Sequence, residues 1–318
     1  MTDYAPSPNA NRLAVPKGQS KAEAHRSTMK GIGLYVAALT IIGLQDAVTK
    51  LLAHDYPISQ FLMLRFATFL AFAIFYAATH GGILAACQSQ RPLLQVVRCG
   101  LLVIDIALFC IAVRLLGLAD VHALYATAPL MATLIAPFVV GEQVGWRRRT
   151  AVGIGLLGAL VIIRPGLGVF HWPAAMVLAA ALCWALYGVL TRLNNRSDGL
   201  ATSTLYLALI GTAAFLPFGI VTWRQPDAIG WFYMAVVCVT GIAGHMMFVR
   251  ALDYAPVVVL QPFNYLLLVW AAVFGLLIFG SFPDVWTITG GIIVVASGLY
   301  VAWREWVRSR PVIATGQR

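Results

Sequence analysis

Long runs of apolar residues, separated by short polar stretches, make up most of this chain from Gly31 to Trp306. Each run holds about 20 residues, which is enough for an α-helix to cross about 30 Å of hydrocarbon. Helices are favoured because a bilayer offers no water to satisfy backbone groups. The pattern predicts an all-α membrane protein with ten transmembrane helices at residues 31–53, 58–79, 95–116, 118–140, 146–164, 172–194, 199–223, 228–251, 255–279 and 284–306.

Composition agrees with this pattern. The chain is 60% hydrophobic and 11% charged, and its mean hydropathy is +0.83, whereas a soluble domain needs far more charge on its surface. The formal net charge of +10 could suggest nucleic acid. However, the basic residues lie in loops and tails between apolar runs, as is typical of membrane proteins. We therefore expect a lipid bilayer, and no nucleic acid, as the partner.

The distribution of the 22 lysines and arginines predicts the orientation. If the N-terminus is cytoplasmic, 17 lie on the inner side, four lie at outer helix ends, and Arg65 lies within a helix. This bias predicts a multi-pass protein of the bacterial inner membrane with both termini cytoplasmic. Residues 1–30 contain no apolar segment typical of a cleavable signal peptide. We expect them to form a disordered cytoplasmic tail, with residues 307–318 as a second tail.

The two halves of the chain resemble each other. Thr49-Lys50-Leu51 matches Thr191-Arg192-Leu193, and Arg114, Ala119 and Val121 match Arg250, Ala255 and Val257 in the same order. Each unit would hold five helices, an odd number, so the second copy must enter the membrane inverted. The sequence thus predicts two inverted five-helix repeats, residues 31–166 and 172–306, and alternating access to a site between them.

Several motifs spread over residues 31–306 resemble one known group of membrane proteins. They are Leu64-Arg65-Phe66, Gly117-Leu118-Ala119, Pro129, Gly141-Glu142, Arg164-Pro165-Gly166, Ala251-Leu252-Asp253-Tyr254-Ala255, Pro262 and Phe279-Gly280. The chain is similar to the EamA-type members of the drug/metabolite transporter superfamily. That resemblance implies ten helices in two repeats and transport of small organic metabolites. One departure is Ser281, which stands where the family usually has a glutamate after Gly280.

A smaller set of residues resembles one branch of these transporters. Asp46 with Lys50, Arg65, Pro262-Phe263-Asn264-Tyr265 and Pro283-Asp284 look like bacterial members that carry riboflavin or S-adenosylmethionine. This resemblance favours riboflavin uptake. Uptake or export of S-adenosylmethionine, amino acids or other metabolites is the alternative.

Charged residues inside apolar runs are the first candidate site. Asp46 and Arg65 are each about 10 Å from the outer helix ends at 1.5 Å per residue. An unpaired charge there costs several kcal/mol, so we expect a shared network. Lys50 lies one turn after Asp46, and this spacing allows the two to neutralise each other. Asp105, near the middle of helix 3, is a candidate for substrate binding or proton coupling. The repeat equivalents of Asp46, Arg65 and Asp105 are Gly188, Leu207 and Gly241.

Polar and aromatic stripes are the second candidate. His122 and Tyr125 precede Pro129 on one face of helix 4, and Gln261, Asn264 and Tyr265 form the equivalent stripe on helix 9. We expect both stripes to line the cavity. Trp184 and Tyr187 on helix 6 fit either lining or packing. His245 on helix 8 fits a satisfied contact between helices better than a ligand, and Glu142 fits a pair with the basic run that follows it.

No pattern points to enzymatic chemistry. Gly153-Ile154-Gly155-Leu156-Leu157-Gly158 fits a dinucleotide-binding motif, but it lies within an apolar helix, where small residues favour close helix packing. The five cysteines have no metal-binding spacing. We predict no catalytic residue, no metal and no cofactor. A membrane-embedded enzyme acting on lipid headgroups would need clustered acids and histidines, and a scaffold or sensor would not need an inverted repeat. The sequence leaves open whether the protein forms a homodimer.

Overall fold

The computed structural model describes residues 21–140, 145–164, 172–194, 197–255 and 257–309, which form helices and turns without a β-strand in those ranges. The helices are α1 (Lys21–Asp55), α2 (Ile58–Thr79), α3 (Ile83–Cys87), α4 (Pro92–Leu115), α5 (Leu118–Tyr125), α6 (Ala128–Val140), α7 (Trp146–Ile163), α8 (Trp172–Asn194), α9 (Leu200–Val221), α10 (Ala228–Tyr254), α11 (Val257–Leu260), α12 (Leu266–Phe279) and α13 (Val285–Ser309). A 3₁₀ turn, Gln261–Tyr265, joins α11 to α12.

The all-α membrane class predicted from the sequence is confirmed. Within the described ranges, nine helical segments are long and apolar enough to cross a membrane. The remaining predicted span is α7, which has 18 residues and is not among the nine. Three arginines, Arg147, Arg148 and Arg149, occupy its first turn, so its apolar stretch begins only at Ala151.

Two boundaries differ from the sequence prediction. Helix α1 begins at Lys21, so residues 21–30, predicted as part of a disordered tail, are helical. The segment Lys21-Ala22-Glu23-Ala24 consists of strong helix formers, which extend the apolar helix outward. The short helix α3 lies in the connection 80–94, where no helix was predicted. Residues 1–20 and 310–318 lie outside the described ranges.

The fourth and ninth predicted helices are each interrupted. Residues 118–140 form α5 and α6, with a break at Ala126 and Thr127, and the 3₁₀ turn beginning at Gln261 interrupts residues 255–279. A proline follows or lies in each break, Pro129 and Pro262, and proline cannot donate the backbone hydrogen bond that a continuous helix needs. Ala126 and Pro262 are equivalent positions in the predicted repeat.

The packing of helices is the same in both halves under the predicted repeat. Helix α1 packs most extensively against α10, and its equivalent α8 packs against α4, the equivalent of α10. The pairs α2 with α9 and α7 with α13 each join equivalent helices. The pairs α1 with α10 and α4 with α8 are therefore exchanged by the predicted repeat.

Helices α7 and α13 meet through glycine. A Cβ atom on Gly158 would lie 2.9 Å from the Gly290 carbonyl oxygen, and one on Gly290 would lie 2.6 Å from the Gly158 oxygen. Only glycine allows the two backbones to come so close. Gly158, the last glycine of the dinucleotide-like motif, thus serves helix packing, as predicted, whereas a Cβ on Gly153 would meet open space.

Candidate functional site

Two buried carboxylates each find a partner on the short helix α5. His122 Nε2 lies 3.2 Å from Asp46 Oδ2, and the Tyr125 hydroxyl donates to Asp105 Oδ1 at 3.0 Å. His122 and Tyr125 are one turn apart on α5, so their side chains lie on the same face. The structure thus brings together four residues that the sequence predicted separately.

An aromatic ring that the sequence did not single out completes this cluster. Phe109 follows Asp105 by one turn of α4, and its ring makes edge contacts with His122 at 5.4 Å and Tyr125 at 5.5 Å between centroids. Edge contacts of this kind fix ring orientation. Phe109 and Tyr125 form an aromatic wall beside the Asp105 carboxylate. The i, i+4 spacing from Asp105 was the available sequence signal.

Arg65 supplies the positive charge of the cluster. Its guanidinium interacts electrostatically with Asp105, and a Cβ atom on Gly241 of α10 would lie 3.5 Å from both Arg65 Nε and Gln45 Oε1. The side chain is partly accessible, although it lies about 10 Å from the start of α2 at 1.5 Å per residue. Within the described ranges, Arg65 makes no side-chain hydrogen bond and no ion pair. The guanidinium can therefore bind an anionic group.

Asp46 and Lys50 do not pair with each other, although their spacing on α1 allows it. Lys50 Nζ donates to the carbonyl oxygen of Val113 at 2.9 Å and to that of Leu116, and it lies 5.3 Å from the Phe279 ring centroid. These carbonyls lie at the C-terminal end of α4, where they have no helical donor and carry partial negative charge. Lys50 therefore caps α4, and Asp46 is left to pair with His122.

The aromatic pair on α8 lies partly outside the cluster. The Trp184 and Tyr187 rings are 5.6 Å apart, and the Tyr187 ring lies 5.5 Å from the guanidinium carbon of Arg98. Arg98 is two turns before Asp105 on α4. Cys183, next to Trp184, interacts electrostatically with Asp105. Tyr187 thus packs with Arg98, and Trp184 packs against Tyr187 beside Cys183.

Two of the three side chains of the stripe predicted on helix 9, Asn264 and Tyr265, have their described contacts away from the carboxylates. Asn264 Oδ1 accepts a hydrogen bond of 2.8 Å from the hydroxyl of Tyr35, a buried residue eleven positions before Asp46 on α1. That separation is about 16 Å along the helix. Tyr265 contacts Gly298 of α13. The side chain of Gln261 lies outside the described part of the chain, as does Glu142.

A buried arginine was missed by the sequence analysis. Arg98 is 1% exposed and donates twice to Gln95 Oε1, at 2.9 and 2.7 Å, and also to Thr191 Oγ1 and the Ser203 carbonyl. Gln95 Nε2 in turn donates to Asp198 Oδ2 at 2.7 Å. The network joins α4, α8 and α9 near their ends. In the sequence, Arg98 resembles a basic residue of a loop, because it lies close to the start of a predicted helix. Only its depth within α4 could have indicated that it is buried.

Asp198, in the turn between α8 and α9, anchors this network to the connection before α4. Burial opposes ionisation of its carboxyl group, but hydrogen bonds from Ser89, the Gln90 amide and Gln95 outweigh burial and lower the pKa of Asp198. Its carboxylate is therefore charged at neutral pH and holds the two turns together.

His245 makes fewer hydrogen bonds in the described part of the structure than the sequence predicted. Its ring makes an edge contact with Phe69 at 5.4 Å, but Nε2 is buried and has no hydrogen-bond partner in the described part of the chain. Arg65 acts on it electrostatically. His245 therefore lies beside the cluster on the α10 side.

Comparison with known proteins agrees with the predicted membrane fold. A model of the EamA-like transporter family matches residues 29–164 and 171–303. An S-adenosylmethionine uptake transporter of Rickettsia prowazekii is 21% identical over 290 residues, covering 89% of this chain and 96% of its own. A riboflavin transporter of Vibrio cholerae is 28% identical over 189 residues, covering 59% and 63%. A crystallised chain at 17% identity, covered completely and matching 92% of this chain with a TM-score of 0.59, shows the same fold.

Proposed function

The chain belongs to the EamA-like transporter family, and we propose that its substrate is a zwitterionic cation with a planar ring, such as S-adenosylmethionine. The family establishes a multi-pass membrane transporter of the drug/metabolite type. The substrate class is our inference from the charges of the site. The chain is similar to an S-adenosylmethionine uptake transporter over 89% of its length, and this similarity supports the inference.

The charges in the cluster carry this proposal. Asp46, Asp105 and Arg65 together hold one more negative than positive formal charge when His122 is neutral. S-adenosylmethionine carries an ammonium and a sulfonium against one carboxylate, so it would balance the site. Its carboxylate would pair with Arg65, since guanidinium binds carboxylates in a bidentate manner. Its cationic end would lie at Asp105, because a bound countercharge offsets the cost of a charge inside the membrane.

The aromatic wall suits the remaining part of such a substrate. Phe109 and Tyr125 lie directly beside Asp105, and their faces can stack on a planar heterocycle such as adenine. Trp184 on α8, next to Cys183, is a further large aromatic residue that is partly exposed.

Riboflavin, which the sequence favoured, is the second candidate. The same rings would accept its planar system, and the riboflavin transporter of Vibrio cholerae is the more similar relative by identity, at 28%. However, riboflavin carries no formal charge at neutral pH, so it would leave the extra negative charge of the cluster unbalanced. Asn264, one of the amides expected to bind the edge of its ring system, instead accepts a hydrogen bond from Tyr35.

Uptake by proteoliposomes containing the purified protein separates the two candidates. We expect saturable uptake of labelled S-adenosylmethionine and none of riboflavin. S-adenosylhomocysteine, which lacks the sulfonium charge, should compete weakly. Arg65→Gln should abolish uptake, whereas Arg224→Gln, which removes an exposed arginine from a turn, should not. Uptake of riboflavin but not of S-adenosylmethionine would overturn the substrate, and uptake of neither would overturn both.

We further propose that the molecule consists of two inverted five-helix halves in the bacterial inner membrane. The two matches to the family model, the repeated packing of helices and the equivalent breaks at Ala126 and Pro262 support the repeat. The charge bias supports cytoplasmic termini. Broken helices at the centre of inverted repeats commonly form transport sites. Here α5, the first part of such a helix, carries both His122 and Tyr125.

A further inference from the structure

Two adjoining cavities lie where α7 begins beside α13. The first has a volume of about 370 Å³ and lies between Thr150 and Ile154 of α7 and Ser297 and Tyr300 of α13. The second has a volume of about 190 Å³ and is lined by three arginines, Arg147, Arg148 and Arg304, with Gly145. Trp146 and Arg147 line both, so the two cavities meet. The residues that line these cavities are distant in sequence from Asp46 and Asp105. None of them belongs to the cluster around those two carboxylates.

The second cavity is suited to an anion. Among the side chains that the structure describes, those lining this cavity include no acidic residue. Arg147 stacks on Trp146 at 5.6 Å, and Arg304 on Trp303 at 5.9 Å. Among described residues, neither guanidinium has a carboxylate within ion-pair distance. Two arginines held over aromatic rings and lacking a counterion favour a phosphate, which accepts their hydrogen bonds in pairs.

The helix itself adds to this preference. Helix α7 begins at Trp146, and its N-cap, Gly145, provides no side chain to accept from the first backbone amides. Amides at a helix N-terminus lack intrahelical acceptors and carry partial positive charge, so they too favour a bound anion. The cavity, the arginines and the helix end therefore point to the same ligand charge.

The first cavity shows that this ligand has an apolar part. Its wall is formed largely by Ala151, Ile154 and the ring of Tyr300, and the exposed Leu157 continues the apolar surface along α7. Trp146 is 68% exposed and Trp303 52%, as is typical of aromatic residues at a membrane interface. A free phosphate would fill only the basic cavity, whereas a phospholipid would occupy both.

We propose that this is a binding site for an anionic phospholipid. The headgroup phosphate lies between Arg147 and Arg304 at the start of α7, and an acyl chain follows Ile154 and Leu157 along the outer surface of that helix. Basic pockets between transmembrane helices bind anionic headgroups in this way. By the predicted orientation, the lipid belongs to the cytoplasmic leaflet. The lipid would bridge α7 and α13, the helices that pack through Gly158 and Gly290.

Native mass spectrometry of the full-length protein in detergent can test this site. The probes are dioleoylphosphatidylglycerol, dioleoylphosphatidylcholine and inorganic phosphate. We expect one tightly bound phosphatidylglycerol, weaker binding of phosphatidylcholine, and no displacement by excess phosphate. The double variant Arg147→Gln/Arg304→Gln should bind phosphatidylglycerol about tenfold or more weakly, because two charge-assisted contacts are lost. Phosphatidylglycerol should also raise the melting temperature of the wild type and not that of this variant.

Two controls keep the result interpretable. Arg26→Gln/Arg91→Gln removes two exposed arginines from the same predicted side and should bind as the wild type does. Arg147→Lys/Arg304→Lys, which retains both charges, should bind more tightly than the glutamine variant and shows whether packing survives. Equal losses in both glutamine pairs, equal binding of the two lipids, or displacement by free phosphate would each overturn the proposal.

Discussion

Replacing Asp105 with asparagine should impair transport far more than folding. Asp105 is 3% exposed and accepts a hydrogen bond of 3.0 Å from the Tyr125 hydroxyl. Asparagine has nearly the same shape, and its side-chain oxygen can accept the same bond, so we expect a stability loss of about 1 kcal/mol or less. The negative charge beside Arg65 is lost. A hydrogen bond to a charged group contributes about 1.5–3 kcal/mol, so affinity for a cationic substrate should fall roughly 10- to 100-fold.

Initial uptake rates of labelled S-adenosylmethionine, with melting temperatures of the same preparations, measure the two effects separately. Tyr125→Phe is the matched control, because it removes the donor and keeps the carboxylate. It should lower the melting temperature more than Asp105→Asn does, since a buried acceptor loses its partner, and should reduce uptake less. Wild-type uptake by Asp105→Asn at a normal melting temperature would refute the reasoning. An equal fall in uptake and stability would make Asp105 a structural residue only.

Four further outcomes are expected. Asp46→Asn, which keeps the shape that contacts His122, should also reduce uptake with little loss of stability; full uptake would exclude Asp46 from the site. Arg98→Met should destabilise the protein by about 3–5 kcal/mol in detergent unfolding, because it leaves a buried polar network without its centre; a change below about 1 kcal/mol would contradict this. Since the pKa of Asp198 is lowered in the folded protein, its contribution is complete above its unfolded value of about 3.9 and is lost as the pH falls through the folded value. The melting-temperature difference between Asp198→Asn and the wild type should therefore shrink below about pH 4, and a constant difference would contradict the pKa argument. A reporter fused after Arg318 should be cytoplasmic, and periplasmic activity would reverse the proposed orientation.

Most of the helices could be predicted because the bilayer imposes one strict requirement. Each span needs about 20 apolar residues, and α8, Trp172–Asn194, coincides with the predicted range 172–194. The interruptions of helices 4 and 9 had a signal in Pro129 and Pro262, but the apolar pattern continues across both. Hydropathy does not report backbone hydrogen bonds, and so the two spans were predicted as continuous.

The partners of the buried charges could not be predicted from spacing. Lys50 lies one turn from Asp46 on the same helix, so the sequence permits a pair. The structure offers Lys50 a better site at the carbonyls of Val113 and Leu116, where a different helix ends. That alternative exists only once α1 and α4 have packed. The pairing of Asp46 with His122 is a consequence of the same packing.

The site is asymmetric although the packing of helices is repeated. Asp46, Arg65 and Asp105 all come from the first half of the chain, and under the proposed repeat their equivalents are Gly188, Leu207 and Gly241. Gly241 lies against Arg65 Nε and Gln45 Oε1, where a Cβ would already be in van der Waals contact, so a larger side chain would displace the guanidinium. Under the proposed repeat, the first half thus provides the charges, and Gly241 of the second half leaves room for Arg65. An inverted repeat with identical charges in both halves would place at least twice as many charges within the membrane, and each would need its own partner. Concentrating them in one half keeps Arg65 accessible to a substrate while Asp46 and Asp105 remain bonded to α5.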